Sequence, residues 1–359
     1  MSFVFVINPG STSTKLALYK GTEELFEREL RHPKEELSDF PTVEDQIGFR
    51  MAAIRKVLEE ENVDASGVVA IAGRGGLLAP LQGGTYTVSD NMIDDLMSNK
   101  YGEHPCNLGA VLARDLAEEW GVPAYIVDPV VTDEMDERAR LTGMPGIERR
   151  SVFHALNQRG AARVAAERLG IRYEDSCFIV THMGGGMSIG AHHRGRVTDV
   201  TNGLDGEGPF TPERTGALPV LPVLERMRDG ESFDSLRLTI LREGGVWAHL
   251  GTNNMMEVEK RVLEGDEEYS RVFRAMVYNV AKHIASMLPA ALDGEKDRVD
   301  AIVITGGMSR CKPLMDELRR LLSGLGEIVH IPGSVEMEAL AQGAVMALSG
   351  EVETRQYEG

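Results

Sequence analysis

The amino-acid sequence predicts an α/β protein built from two related domains. At 359 residues the chain is longer than one ordinary hydrophobic core supports, and it suits two domains of roughly 150–200 residues each. Short apolar segments rich in β-branched residues alternate with segments of helical periodicity, which is typical of α/β folds. A stretch near the start is echoed near the middle, which indicates that one domain arose by duplication of the other.

The predicted strands are apolar segments too short for helices and rich in β-branched residues. They are Phe3–Ile7, Lys15–Tyr19, Val68–Ala72, Ala124–Asp128, Cys177–Thr181, Met187–Ala191, Ala301–Thr305 and Glu327–Ile331. Helices are predicted where apolar residues recur every three or four positions. These lie at Asp45–Asn62, around Leu108 to Leu116, at Tyr269–Leu288, from Lys312 onward and at Met337–Leu348.

Composition excludes several classes of protein. The formal net charge of −18 argues against nucleic-acid and anionic-membrane partners. No apolar run approaches the ~18 residues of a membrane helix, and the apolar start ends in a turn at Asn8 to Gly10, unlike a secretory signal. Three cysteines without C-x-x-C spacing are typical of reduced thiols, so we expect a cytoplasmic protein. An anionic ligand would need local positive charge.

The internal echo joins two predicted hairpins with small residues at their tips. VINPGSTSTKLALYKG resembles VTHMGGGMSIGAHHRG, with Asn8 opposite His182. Glycine permits a tight turn, and the hydroxyls and amides that follow can surround a phosphate oxygen. The candidate phosphate ligands of the first hairpin are Gly10, Ser11, Thr12, Ser13 and Lys15. A plain polar turn is the structural alternative, and neither the P-loop nor the G-x-G-x-x-G pattern is present.

The second hairpin and a later strand end are rich in glycine. Glycine in a strand-like region costs conformational entropy, so a purely structural role is less expected there. Strand Ala301–Thr305 ends in a glycine pair before a helix, which is where open α/β sheets bind ligands, although a tight turn is the alternative. The candidate nucleotide-binding residues are Gly184, Gly185, Gly186, Gly306 and Gly307.

The order of these three motifs resembles the phosphate 1, phosphate 2 and adenosine motifs of the actin, Hsp70 and sugar-kinase superfamily. The residues within the motifs are most similar to those of the acetokinase family. This resemblance implies two RNase-H-like, actin-like ATPase domains with an active-site cleft between them. The first would comprise residues 1–150 plus about 338–359, and the nucleotide-binding second domain residues 151–337.

Further motifs extend the resemblance along nearly the whole chain. They are Asn8 to Lys15, Ala72 to Gly76, His104 to Leu108, Val127 to Pro129, Arg149 to His154, Thr181 to Gly184, Glu213 to Gly216 and Ile331 to Leu340. Acetate kinases usually have Gly-Asn-Gly at Gly184–Gly186 and Gly-Thr-Arg at Pro212–Arg214. The forms H-M-G-G-G, P-E-R-T-G and E-M-E-A-L are similar to those of the butyrate kinases in the family.

By resemblance, Arg74 and Arg214 would bind the substrate carboxylate and the transferring phosphoryl group. Asp128 would orient an arginine or a metal-bound water, and His182 would hydrogen-bond the phosphoryl group. Asn8 and Glu338 would anchor Mg²⁺, with Glu336 as the alternative carboxylate. The roles of His104 and His154 stay open, and the histidine and cysteine spacings do not match a zinc site.

The implied reaction is ATP-dependent phosphorylation of a short-chain fatty acid, with butyrate as the expected substrate. Acetate, propionate or isobutyrate are alternatives, since one methylene gives only ~1–3 kcal/mol of discrimination. A non-catalytic nucleotide sensor and a sugar kinase using Asp128 as base are the competing classes. A homodimer is what the resemblance implies.

Overall fold

The computed structural model describes residues 2–359, which form two compact units. Unit 1 contains residues 2–133 and Val335–Gly359, and unit 2 contains Glu134–Ser334. Residues 134–150, assigned to the first domain from the sequence, lie in unit 2. The Glu134 carboxylate there accepts hydrogen bonds from Arg159 at 2.9 Å and from the Val197 amide at 2.8 Å. The chain returns to unit 1 at Val335.

Within residues 2–359, six strands form a mixed sheet in unit 1 and five strands form a mixed sheet in unit 2. They are β1 (Phe3–Pro9), β2 (Ser13–Lys20), β3 (Glu23–Arg31), β4 (Val68–Gly73), β5 (Thr85–Thr87), β6 (Ala124–Val127), β7 (Cys177–Met183), β8 (Met187–His193), β9 (Arg196–Val200), β10 (Ala301–Gly306) and β11 (Ile328–Pro332). The strand order is β3-β2-β1-β4-β6-β5 in unit 1 and β11-β10-β7-β8-β9 in unit 2. Each sheet therefore has an antiparallel meander (β1–β2–β3 and β7–β8–β9) joined to parallel strands.

Helices pack on these sheets. In chain order they are α1 (Lys34–Leu37), α2 (Ile47–Glu60), α3 (Asp90–Met97), α4 (Leu108–Trp120), α5 (Glu137–Arg140), α6 (Ala155–Leu169), α7 (Val220–Arg228), α8 (Phe233–Leu241), α9 (Gly245–Leu250), α10 (Met255–Leu263), α11 (Glu267–Ser286), α12 (Leu288–Leu292), α13 (Lys312–Leu321) and α14 (Glu336–Ser349). Helix α14 belongs to unit 1, although its sequence follows unit 2. Among residues 2–359, no helix has both the length and the apolar composition needed to cross a membrane.

The core of each unit lies between its sheet and its helices. In unit 1, strands β1, β2 and β4 bury apolar side chains against α2 and α4, as with Phe5 and Ile54. In unit 2, strands β7, β8 and β10 pack against α11 and α13, as with Ile304 and Met276. All eight predicted strands are present. Strands β3, β5 and β9 were not predicted, because β3 is glutamate-rich and mostly exposed and the other two are short.

Candidate active site

The first hairpin turns tightly between β1 and β2. The Gly10 amide donates to the Ser13 carbonyl at 2.7 Å, and Ser11 and Thr12 are exposed at the tip. The register pairs Asn8 with Lys15, so both flank the tip on adjacent strands. The Lys15 ammonium lies 3.7 Å from a Glu27 carboxylate oxygen. The exposed tip therefore carries the Ser11 and Thr12 hydroxyls, and groups of this kind can surround a phosphate oxygen.

Asn8, Arg74 and Glu336 form a hydrogen-bonded cluster beside this tip. The Asn8 amide donates to Glu336 Oε2 at 3.0 Å, and Arg74 Nη1 donates to Asn8 Oδ1 at 3.2 Å and to Glu336 Oε2 at 3.3 Å. The Arg74–Glu336 ion pair is partly exposed. Sequence reasoning favoured Glu338 as the partner of Asn8, but Glu336 is the carboxylate that bonds to it. Two residues later on a helix, Glu338 points to a different side, and its charge is one of the smaller influences on Tyr19.

The oxygen atoms of Asn8 and Glu336 are chemically suited to Mg²⁺. This ion prefers oxygen ligands and is commonly held by one or two protein side chains together with substrate phosphates. No cluster of three or more histidine, cysteine or acidic side chains that could hold a metal occurs in residues 2–359.

Close backbone packing fixes the position of Arg74. Arg74 directly follows β4, and its amide donates to the Ile7 carbonyl at 2.9 Å. A Cβ on Gly73 would lie 2.1 Å from the Gly109 carbonyl oxygen, and one on Gly109 would lie 2.2 Å from the Arg74 carbonyl oxygen. Only glycine permits this contact, so α4 holds the Arg74 backbone firmly against β1.

Asp128 is fully buried after β6, with a left-handed φ of 40°. Its carboxylate accepts the Gly84 amide at 2.8 Å, and its own amide donates to the Gly84 carbonyl at 2.9 Å. A non-glycine residue at positive φ is uncommon and usually reflects a constraint from its surroundings. These contacts show Asp128 bracing the loop at Gly84, while its orienting role in catalysis stays a prediction.

His104 lies in the environment of Arg74. Burial, together with the Arg74 charge, lowers the pKa of His104. Its Nδ1 accepts the Cys106 amide at 3.1 Å and so caps the turn before α4. A neutral capping imidazole explains why histidine stands at this helix start.

In unit 2, the second hairpin lies directly against Arg214. A Cβ on Gly186 would lie 2.8 Å from Arg214 Nη1 and 3.2 Å from its Cζ, so the guanidinium rests where a side chain would otherwise be. Arg214 Nη1 donates to the Gly203 carbonyl at 2.7 Å. Within residues 2–359, Arg214 Nε is buried and has no hydrogen-bond partner. Burial, with a contribution from Arg242, lowers the pKa of Arg214.

Arg214 donates to the carbonyl of Gly203, and the loop that contains Gly203 is held in place by residues to which the sequence analysis gave no role. Arg149 donates to Asp199 at 2.8 Å and to Glu207 at 3.1 Å. The Asn202 side-chain oxygen accepts the Leu204 amide at 2.8 Å. Because Gly203 lies between these anchors, its carbonyl is held in place for Arg214. The paired arginines of the Arg149 to His154 motif are the sequence signal for this support.

His182 and His154 stack face to face, with ring centroids 4.0 Å apart. His182 Nδ1 lies 2.8 Å from Asn157 Oδ1, which also accepts from Thr305, so Nδ1 carries the hydrogen. His182 Nε2 would lie 3.5 Å from a Cβ on Gly184, so it faces the hairpin tip. With Nδ1 engaged, His182 can donate from Nε2 only as the imidazolium.

The glycine pair Gly306 and Gly307, at the end of β10, packs against the second hairpin through Gly306. Gly306 has φ 94°, and a Cβ there would lie 2.2 Å from the Met183 carbonyl oxygen. Gly307 lines an open pocket of about 590 Å³ together with Gly184 and Gly185. The other lining residues include Met255, Met256, Glu259, Met308 and Arg310.

This pocket has the size and lining of a small-molecule site, since such sites commonly measure ~300–1,000 Å³ and are mostly apolar. Methionine side chains adapt to flat ligands. The structure thus gathers Gly184, Gly185 and Gly307 at one pocket. Sequence reasoning missed its methionines, which come from α10 and the turn after β10 and show no local pattern.

The sequence is similar to those of known proteins along its whole length. The model of the family described as the Acetokinase family matches residues 141–325. A probable butyrate kinase of Maridesulfovibrio salexigens is 48% identical over 359 residues, covering 99% of each protein. A second, from Oleidesulfovibrio alaskensis, is 49% identical over 369 residues, covering 100% of this chain and 99% of the relative.

Solved structures confirm the predicted fold class of two related, actin-like α/β domains. An acetate kinase of Porphyromonas gingivalis has a TM-score of 0.72 at 19% identity, covering 97% of this chain and 100% of that protein. A propionate kinase of Francisella tularensis has a TM-score of 0.71 at 18% identity, covering 96% and 99%. At such identities the structures establish the fold alone. The family match and the full-length relatives confirm the predicted family: the chain belongs to the acetokinase family.

Proposed function

We propose that this protein is an ATP-dependent carboxylate kinase that converts butyrate and ATP into butyryl phosphate and ADP. A butyrate carboxylate oxygen attacks the γ-phosphorus, and the bond from phosphorus to the β,γ-bridging oxygen breaks. The electron pair of that bond leaves with ADP. Full-length relatives at 48% and 49% identity are probable butyrate kinases, which supports this acceptor.

The buried, unpaired Nε of Arg214 is the observation that carries the proposal. An unsatisfied buried donor costs ~1–3 kcal/mol, so it is retained where a ligand supplies the acceptor. Arg214 lies against Gly186, at a hairpin with no side chain to block a ligand. A planar guanidinium suits bidentate contact with phosphoryl or carboxylate oxygens. Phosphoryl transfer depends mainly on such positioning and charge neutralisation.

No general base is needed in this reaction. A carboxylic acid with a pKa of ~4–5 is already ionised at neutral pH. Arg74 is proposed to bind the acid carboxylate, since it is partly exposed and held in position by Gly109. His182 is proposed to donate to the phosphoryl group from Nε2 in its protonated form.

The nucleotide is proposed to bind in the pocket at Gly184, Gly185 and Gly307, with its apolar methionines against the base. Asn8 and Glu336 would hold Mg²⁺ or its bound water, and Glu338 remains the other candidate carboxylate. Bound Mg²⁺ would neutralise charge on the β- and γ-phosphates. The amides and hydroxyls of Ser11, Thr12 and Ser13 and the Lys15 ammonium would also contact phosphate oxygens.

A hydroxamate assay tests the proposal. The protein is incubated with MgATP, hydroxylamine and one acid at a time, from acetate to valerate and including isobutyrate. Acyl phosphate is trapped as hydroxamate, and we expect the highest kcat/KM with butyrate. Arg214→Ala should reduce hydroxamate formation strongly, whereas Arg172→Ala, which removes an exposed arginine of the same unit, should not.

The outcomes separate the alternatives. Hydroxamate with acetate or propionate but little with butyrate would correct the substrate and keep the chemistry. Nucleotide binding without hydroxamate from any acid would contradict the kinase proposal and favour a nucleotide sensor. Phosphorylation of a sugar hydroxyl, lost in Asp128→Asn, would favour a sugar kinase.

We also propose that the protein is a homodimer, because α7 has no buried residue although it is apolar along one side. Its exposed apolar side chains are Val220, Leu221, Leu224 and Met227. A stripe of this kind is typical of an interface. Size-exclusion chromatography with light scattering should give a dimer, and Leu221→Glu should give a monomer.

A cytoplasmic location is proposed as well, consistent with three free, buried cysteines.

A further inference from the structure

A buried positive charge lies directly behind the tip of the first hairpin. Arg50, on α2, has no exposed surface. Its Nη1 donates to the Ser13 carbonyl at 3.1 Å and to the Thr14 hydroxyl at 2.9 Å. Its Nε and Nη2 donate to Gln46 Oε1 at 3.1 and 2.9 Å. The guanidinium therefore connects α2 to the strand that leaves the hairpin tip.

Every one of these partners is neutral. Burial alone lowers the pKa of Arg50 to about 10, and no acidic group within residues 2–359 offsets it. Arg50 therefore stays protonated at neutral pH. A buried charge without a counter-ion is costly, and arginines in protein interiors are normally paired with carboxylates.

The neighbouring histidine supplies no counter-charge. The Thr14 hydroxyl, which accepts from Arg50, also lies 2.9 Å from His32 Nε2. Burial, together with the Arg50 charge, lowers the pKa of His32 to about 4, so His32 is neutral at neutral pH. The positive charge of Arg50 is thus uncompensated from inside the fold.

The charge acts on the hairpin through the Ser13 carbonyl. That oxygen also accepts the Gly10 amide, the bond that closes the tip. A guanidinium at this carbonyl fixes the geometry of the tip and lies on the interior side of the exposed residues Ser11 and Thr12. Buried charges are screened by salt much less than exposed ones, so its field reaches an anion bound at the tip.

We propose that Arg50 is a positioning residue for polyphosphate binding. A phosphate bound at Gly10 to Ser13 would supply the negative charge that no side chain beside Arg50 supplies. This inference rests on the proposed function, because it assumes that the first hairpin binds nucleotide phosphates. If Arg50 served only to hold α2 to β2, its hydrogen bonds would be sufficient. Pairing it with a carboxylate would then leave phosphate binding unchanged.

Gln46→Glu separates these two roles. The substitution keeps the side-chain shape and both hydrogen bonds, and it places a carboxylate against Arg50. We expect the variant to unfold at a higher temperature, because the buried charge becomes paired. We also expect its Kd for MgADP and for inorganic tripolyphosphate, measured by calorimetry, to rise at least tenfold. Lys56→Gln, an equal charge change at an exposed position of the same helix, should change neither quantity appreciably.

Arg50→Lys and Arg50→Met complete the test. Lysine keeps the charge without the fork of hydrogen bonds, so its Kd for tripolyphosphate should lie between those of the unmodified protein and the methionine variant. A Gln46→Glu protein that gains stability with unchanged Kd values would overturn the inference, even if Arg50→Met fails to fold. If the unmodified protein binds tripolyphosphate but forms no hydroxamate, the proposed reaction is contradicted. The role of Arg50 is then still decided by the Kd values of Gln46→Glu.

Discussion

Replacing Gly186 with alanine should disable the active site while leaving the fold intact. The Gly186 backbone is outside the left-handed region, so alanine is sterically allowed there. The new Cβ would lie 2.8 Å from Arg214 Nη1, which is too close for a carbon–nitrogen contact. The end of a long side chain can move aside at low cost, so Arg214 should be displaced and the strands should remain in place.

The size of the effect follows from the hydrogen bond that must break. Arg214 Nη1 donates to the Gly203 carbonyl at 2.7 Å, and a hydrogen bond to a charged group contributes ~1.5–3 kcal/mol. If that energy holds the guanidinium in its working position, its loss lowers kcat/KM about 10- to 150-fold. The midpoint of thermal unfolding should change by only a few degrees.

A double-mutant cycle read by hydroxamate formation tests the reasoning. Gly186→Ala should reduce kcat/KM in the natural protein and have little further effect in an Arg214→Ala background, where nothing remains to be displaced. Gly48→Ala, in α2 with no atom within 4 Å of the new Cβ, is the control for glycine replacement. Full activity of Gly186→Ala, or equal losses in both backgrounds, would show that Arg214 is not the group affected.

Three other predictions can be checked on single variants. His32 has a folded pKa of about 4 against an ordinary 6.5, so the unfolded chain binds its proton first as pH falls. Denaturant titrations should therefore show stability falling by ~3 kcal/mol between about pH 6.5 and 4, a slope that His32→Gln should lack. Glu336→Gln should raise the Mg²⁺ concentration needed for half-maximal hydroxamate formation more than Glu338→Gln does, because Glu336 bonds to Asn8; the reverse order would restore Glu338 as the metal residue. Gly306→Ala should leave little folded protein by circular dichroism, because its Cβ would lie 2.2 Å from a carbonyl oxygen of the core strand β7 at a φ of 94°, and soluble, folded variant would contradict that reading.

Features set by local chain chemistry were predictable from the sequence. The hairpin glycines and the apolar strands depend on residues close to one another along the chain, so their pattern is visible directly. The choice between Glu336 and Glu338 depends on the rotational phase of α14, which is fixed by packing in unit 1. The methionines that line the pocket at Gly184, Gly185 and Gly307 come from two segments far apart in the chain, so the sequence gives no local signal of the pocket.

Arg50 is an intermediate case. It lies three residues after Ile47 and four before Ile54, on the apolar side of α2, where a charged residue breaks the pattern. That irregularity was available from the sequence, but its meaning was not. Only the contacts with Ser13 and Thr14 show that the charge lies behind the hairpin.

The position of α14 has a consequence for how the protein is made. Asn8 and Arg74 leave the ribosome early, but Glu336, their hydrogen-bond partner, is translated only after all of unit 2. Gly343 then fits closely against Val127, where a Cβ would lie 2.6 Å from a valine methyl group. A nascent chain therefore holds an incomplete cluster of side chains until α14 has been synthesised and has docked on the rest of unit 1.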